Sequence, residues 1–190
     1  KIKNKNFFKN LSKPFLIAEI SANHNGSIIN AKKLIETAKK NGADAVKLQT
    51  YEPSSMTINS KRNEFKIKRG LWKNRTLWNL FKKAQTPFKW QNELFKFAKQ
   101  KKIFCFSSAF DADSVRILEK VNCPIYKIAS FEINDFSLIK EISKTKKPVI
   151  ISTGLSNLQE IDETMIFAKK CGIKEIALLY CVSSYPAKDE

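Results

Sequence analysis

Ile125-Tyr126-Lys127-Ile128-Ala129-Ser130-Phe131-Glu132 places a lysine inside an apolar, β-favouring run and closes the run on a serine and a glutamate. A strand this apolar is expected to be buried, and a buried ammonium is costly unless something anionic meets it. Lys127 is therefore either one half of a structural ion pair or a ligand-binding charge. Glu132 is expected just past the strand end, where parallel α/β folds place their chemistry.

The same grammar recurs on both sides of this stretch. Phe15–Ile20 is a short apolar run holding Glu19, and Ala45–Thr50 carries Lys47 and Gln49. Ile103–Ser108 closes on Ser107 and Ser108, Pro148–Thr153 on Ser152 and Thr153, and Glu175–Cys181 is followed by Ser183. Between these runs lie helical periodicities. Ile28–Asn41 has Ile28, Ala31, Leu34, Ile35 and Ala38 on one face, with Ser27 as N-cap and Gly42 as stop. Further helices are expected over Leu71–Lys83, from Thr86-Pro87 (N-cap and N1) to about Lys101, and over Asp111–Val121, Phe136–Thr145 and Leu158–Cys171. Tyr51–Gly70 reads as a long irregular segment, a length usually tied to function.

Strict alternation of strand and helix implies right-handed βαβ units and a parallel sheet. No Gly-x-Gly-x-x-Gly loop follows any strand, which argues against a dinucleotide-binding fold. The expected fold class is α/β, a (β/α)8 TIM barrel truncated after strand six, since a complete barrel takes roughly 250 residues and this chain has 190. Residues 1–14 read as an N-terminal extension and 15–190 as the partial barrel.

Composition narrows the function classes. The formal net charge is +17, but it comes from lysines scattered over helix faces, with only Arg62, Arg69, Arg75 and Arg116 beside them. No nucleic-acid-binding motif appears, so the charge reads as a solvated surface that also steers anions. No apolar run reaches membrane-span length and no signal peptide precedes the first strand, so the expectation is a cytoplasmic protein with neither membrane nor nucleic acid as partner. Cys105, Cys123, Cys171 and Cys181 lack C-x-x-C spacing, and free, buried thiols are expected.

The polar groups at the strand ends suit a small anionic substrate. Lys47 and Lys127 supply compact positive charge, and serines supply short neutral hydrogen bonds. Glu19 and Glu132 are placed to bind hydroxyls or move protons. A single strand-end serine is more often a turn residue than a ligand, and either glutamate alone suits a structural partner for lysine. His24, the one histidine, reads as a hydrogen-bonded loop residue in Asn23-His24-Asn25-Gly26 rather than a metal ligand.

Ala18-Glu19-Ile20, Asn23-His24-Asn25-Gly26 and Gly42-Ala43-Asp44-Ala45-Val46-Lys47-Leu48-Gln49-Thr50 together resemble the sialic acid synthase family. Phe106-Ser107-Ser108, Tyr126 to Glu132, Ile151-Ser152-Thr153-Gly154, Leu179-Tyr180-Cys181 and Tyr185-Pro186 continue the pattern in order. Gly70-Leu71-Trp72, Thr86-Pro87 and Ala129-Ser130-Phe131-Glu132 look most like the pseudaminic acid synthase branch, while Ala109 stands where the family commonly has proline.

The resemblance implies condensation of phosphoenolpyruvate with a 2,4-diacetamido-2,4,6-trideoxy hexose to give pseudaminic acid and phosphate. N-acetylneuraminate or legionaminate synthesis is the alternative within the family. A Schiff-base aldolase using Lys127 or Lys47, or a basic nucleic-acid-binding protein, is the alternative outside it. Carried over by position, Lys47, Ser108, Lys127, Ser130, Ser152 and Ser183 would hold phosphoenolpyruvate. Glu19 and Tyr185 would contact the sugar, Gln49 would be a substrate-binding residue, and Glu132 would be the carboxylate nearest the chemistry. The resemblance also implies a homodimer using a divalent metal, Mn2+ or Mg2+, whose ligands are not in this chain. Two further βα units and an antifreeze-like C-terminal domain are likewise expected outside it, so the 190-residue chain alone is expected to be inactive.

Overall fold

The computed structural model describes residues 14–182, which fall into two compact units, Phe15–Cys123 and Pro124 onward. Ser183, Tyr185 and nearly all of the expected N-terminal extension lie outside the described residues.

In the first unit, β1 (Ile17–Glu19), β2 (Ala45–Thr50) and β3 (Phe104–Ala109) pair in parallel and in chain order. Helix α1 (Ile28–Lys40) links β1 to β2. Three helices, α2 (Pro53–Met56), α3 (Leu77–Ala84) and α4 (Phe88–Gln100), lie between β2 and β3, and α5 (Ala112–Lys120) follows. Ser27 caps α1 by accepting the Asn30 N–H at 3.3 Å, and Asp111 caps α5 by accepting the Ser114 N–H at 2.6 Å. Ala31 and Ile35 of α1 and Leu94 and Ala98 of α4 are fully buried, and the two helices pack side by side. Val46, Leu48, Phe106 and Leu118 are likewise sealed in the unit's core.

In the second unit, β4 (Tyr126–Ile128), β5 (Val149–Ser152) and β6 (Ile176–Leu179) again pair in parallel and in order, linked by α6 (Phe136–Ser143) and α7 (Leu158–Lys170). Asp135 caps α6, and α7 opens on a reciprocal capping box between Asn157 and Glu160. Tyr126, Ile128, Ile139, Ile142, Val149 and Ile151 are sealed from water. Apolar residues on both faces of β4 and β5 are what a strand covered by helices requires.

Three expectations change. The opening stretch is strand only over Tyr126–Ile128: the Glu132 N–H turns back to the Ala129 carbonyl at 3.0 Å, so Ser130–Glu132 form a 3-10 turn. Helix α3 starts at Leu77, because Ile67 and Asn74–Arg75 first close a backbone loop that includes the Lys66–Thr76 bridge. Helix α4 is capped by Pro87 without a side-chain bond, because the Thr86 hydroxyl is engaged elsewhere.

Candidate functional site

Each unit presents a lysine among hydroxyls with a glutamate nearby. In the first unit, Glu19 closes β1 and stands in register with Lys47 of β2, so both side chains project from the same face. Lys47 forms an ion pair with Glu19 and donates to Ser108 Oγ at 3.3 Å. The lysine side chain is 13% exposed and the glutamate 43%, so the pair opens toward solvent. Gln49 lies two residues beyond Lys47, on the same face and in register with Ser108. Ser107 points the other way and shares a buried hydrogen bond with Thr50 at 2.7 Å, which assigns it to the scaffold.

Glu19 is held from a second side. The Ser21 N–H donates to Glu19 Oε1 at 3.0 Å, at the start of the loop that turns into α1. His24, in the middle of that loop, is completely buried. Its Nδ1 accepts the Gly26 N–H at 3.0 Å, its Nε2 lies 3.2 Å from Thr86 Oγ1, and its ring meets Trp90 edge-on. Burial lowers its pKa. The imidazole has both nitrogens committed within the unit and offers neither to a metal. Among the described residues no group of three or more His, Cys, Asp or Glu is placed to hold a metal ion.

In the second unit, Lys127 is only 7% exposed. Ser152, the last residue of β5, lies two residues beyond Ile150, the register partner of Lys127, and so shares its face. Ser152 Oγ accepts from Cys181 Sγ at 3.3 Å, and Ser130 Oγ accepts the Gly154 N–H at 3.3 Å. Cys181 is a free thiol, half-buried rather than buried as expected, since it lies beyond the end of β6.

Glu132, in the 3-10 turn after β4, carries a buried oxygen, Oε2, with no hydrogen-bond partner. Burial raises its carboxyl pKa above the ordinary value. The charge of Lys127 and the residue's own backbone N–H offset part of that rise, and Asp135 adds to it. A carboxyl that is desolvated, half-satisfied and near a buried lysine has the features expected of a proton-transfer group.

The chain matches the NeuB family model over residues 34–190. It belongs to the NeuB family. The pseudaminic acid synthase of Helicobacter pylori is 44% identical over 180 residues, 95% of this chain and 53% of that protein. The N,N'-diacetyllegionaminic acid synthase of Campylobacter jejuni is 37% identical over 180 residues, 93% of this chain and 54% of that protein. The crystal structure of the N-acetylneuraminic acid synthetase of Leptospira borgpetersenii superimposes with a TM-score of 0.79 at 29% identity, over 92% of this chain and 56% of that one. The chain thus spans about half the length of the curated relatives it matches. The fold class is α/β, six βα strands of a TIM-barrel type shared with NeuB-family structures.

The residues singled out from sequence divide as follows. Glu19, Lys47 and Ser108 touch one another, with Gln49 beside them in register. Lys127 and Glu132 interact electrostatically, and Ser130 and Ser152 flank them at the ends of β4 and β5. The His24–Thr86 bond was missed, because its partners are 62 positions apart and Thr86-Pro87 by itself reads as a helix cap.

Proposed function

We propose that the protein condenses phosphoenolpyruvate with the open-chain aldehyde of a 2,4-diacetamido-2,4,6-trideoxy hexose, giving pseudaminic acid and phosphate. The observation that carries this reading is Glu132, whose Oε2 is buried and unpartnered, lying within electrostatic reach of Lys127, which is nearly sealed from water. The Glu19–Lys47–Ser108 cluster and family membership, with 44% identity to a pseudaminic acid synthase, support it further.

In the proposed reaction the methylene carbon of phosphoenolpyruvate attacks the aldehyde carbon, and the aldehyde oxygen takes up a proton. Water adds to the resulting cationic C2 and gives up a proton, and phosphate leaves as its C–O bond breaks, carrying off the remaining hydroxyl proton and leaving C2 as the keto carbon. By the family resemblance, Lys47 and Lys127 would neutralise the charges of phosphoenolpyruvate, and Ser108, Ser130, Ser152 and Ser183 would supply neutral hydrogen bonds to it. Glu19 and Tyr185 contact the sugar, and Gln49 binds substrate. Glu132 is the proton-exchanging group, because a carboxyl raised toward neutrality is better matched to that task than an ordinary one. A divalent cation, Mn2+ or Mg2+, would supply Lewis acidity at the aldehyde when bound.

The test is phosphate release from phosphoenolpyruvate by the natural full-length protein, with the diacetamido-trideoxy hexose, the legionaminate precursor and N-acetylmannosamine offered separately. Turnover is expected with the first. Preference for either of the others would reassign the substrate while leaving the chemistry intact.

A further inference from the structure

The loop from Ser21 to Gly26 is built against its own backbone preferences. Ser21, Asn25 and Gly26 have φ of 43°, 49° and 72°. Two of these residues are not glycine, and a left-handed conformation for such residues persists only where the surroundings over-determine it. Local turns contribute: the Asn23 N–H donates to the Ile20 carbonyl at 3.0 Å and the Asn25 N–H to the Ala22 carbonyl at 3.1 Å. Of the six residues in the loop, His24 alone is buried. It is the loop's one anchor into the packed interior, through Thr86 and the Trp90 ring.

The tautomer follows from geometry. A backbone N–H can only donate, so Nδ1, which receives the Gly26 N–H at 3.0 Å, carries no proton. Nε2 then carries the hydrogen and donates to Thr86 Oγ1 at 3.2 Å. The imidazole thus joins the loop backbone on one nitrogen to the α3–α4 junction on the other. The same loop begins with the Ser21 N–H that holds Glu19 Oε1, and Glu19 pairs with Lys47.

We propose that His24 is a positioning residue: held neutral between Gly26 and Thr86, it fixes the Ser21–Gly26 loop and thereby sets the orientation of the Glu19 carboxylate beside Lys47. The functional consequence rests on the reading that Glu19 contacts the sugar. The structural link does not.

Two substitutions separate the halves of the clamp. His24→Asn keeps an acceptor near the Nδ1 position for the Gly26 N–H and gives up the Thr86 bond. His24→Gln keeps a donor near the Nε2 position for Thr86 and leaves the Gly26 N–H without an acceptor. Carbon-13 and nitrogen-15 NMR of the natural full-length protein reads the result, with His24 and Glu19 assigned by substitution. The expected spectrum has His24 as the neutral Nε2–H tautomer. The Glu19 carboxyl resonance should move in His24→Gln and stay close to its original position in His24→Asn. In kinetics, His24→Gln should raise the sugar KM roughly tenfold, the scale of one lost hydrogen bond, with the phosphoenolpyruvate KM unchanged, and His24→Asn should recover most of it.

An Nδ1–H or charged imidazole would overturn the inference. So would a Glu19 resonance indifferent to both substitutions or equally displaced by both, or a loss of melting temperature with no change in the sugar KM. Should a variant fail to fold, the tautomer of the unsubstituted protein decides. A full-length protein that consumes no phosphoenolpyruvate would sink the proposed reaction, while the two resonances would still decide the role of His24.

Discussion

His24 in the first unit and Glu132 in the second are both titratable groups drawn out of water, and they are treated in opposite ways. His24 has a partner for each ring nitrogen. Glu132 has a buried oxygen with none. A satisfied buried group rigidifies its surroundings, whereas an unsatisfied one carries a standing cost that a fold retains where chemistry uses it. The lysines differ in parallel. Lys47 meets its carboxylate in a pair that opens to solvent, and Lys127 sits almost wholly inside. On the proposed reading the imidazole is scaffolding and the carboxyl does chemistry, and each role can be broken separately.

Glu132→Gln gives the largest expected effect. Turnover should fall roughly 100- to 10,000-fold, the usual range for loss of a proton-transfer group. Stability should move the other way. The folded pKa of Glu132 lies above its ordinary 4.5, so the folded state binds the proton more tightly than the unfolded chain. Its contribution is full below pH 4.5 and is lost as pH rises through the folded pKa. The glutamine variant should therefore melt higher than the parent at neutral pH, with the gap closing on acidification. Thermal melts across pH check this, and equal melting temperatures at neutral pH would remove Glu132 from the strained side of the contrast.

Lys127→Met comes next. Activity at limiting phosphoenolpyruvate should drop roughly 100-fold, the scale of a lost buried charge contact to an anion. The melting temperature should change little, because an apolar side chain of similar length suits the site. A large fall in melting temperature with an unchanged phosphoenolpyruvate KM would make Lys127 a structural charge.

These expectations start from what sequence makes legible. Ala45–Thr50 is a strand over those residues, because an apolar run between Gly42 and a polar loop leaves little choice. The run through Glu132 misleads at its end, since a three-residue turn after Ile128 is set by a backbone bond that residue types do not announce. Lysines interrupting apolar runs mark Lys47 and Lys127, but no local signal says that Lys47 meets Glu19 and Ser108. Strand register decides that. His24 and Thr86 are invisible as a pair for the same reason: tertiary packing brings them together, and each has an adequate local explanation.

A smaller effect is expected from His24 as pH changes. Burial lowers its folded pKa below 6.5, so its contribution to stability is full above that pH and is lost as pH falls through the folded value. His24→Asn should flatten the acid side of the stability profile, and an unchanged slope would mean that the ring is not held neutral. The smallest effect tests the first unit's own exception. Gln91 on α4 is fully buried with both amide atoms unpartnered. Gln91→Leu should raise stability by about 1 kcal/mol, the penalty of an unpaired buried amide, without altering turnover. Destabilisation would mean that an internal water satisfies the amide, in which case the first unit has no unsatisfied side chain of this kind.

The most direct test of the central claim follows phosphate release by the natural full-length protein supplied with phosphoenolpyruvate, manganese and the 2,4-diacetamido-2,4,6-trideoxy hexose. The account predicts one phosphate released per nonulosonic acid formed, dependent on the sugar and cut roughly 100-fold or more by Glu132→Gln, as loss of a proton-transfer group requires. Absence of phosphate release with this sugar, the legionaminate precursor and N-acetylmannosamine alike would contradict it.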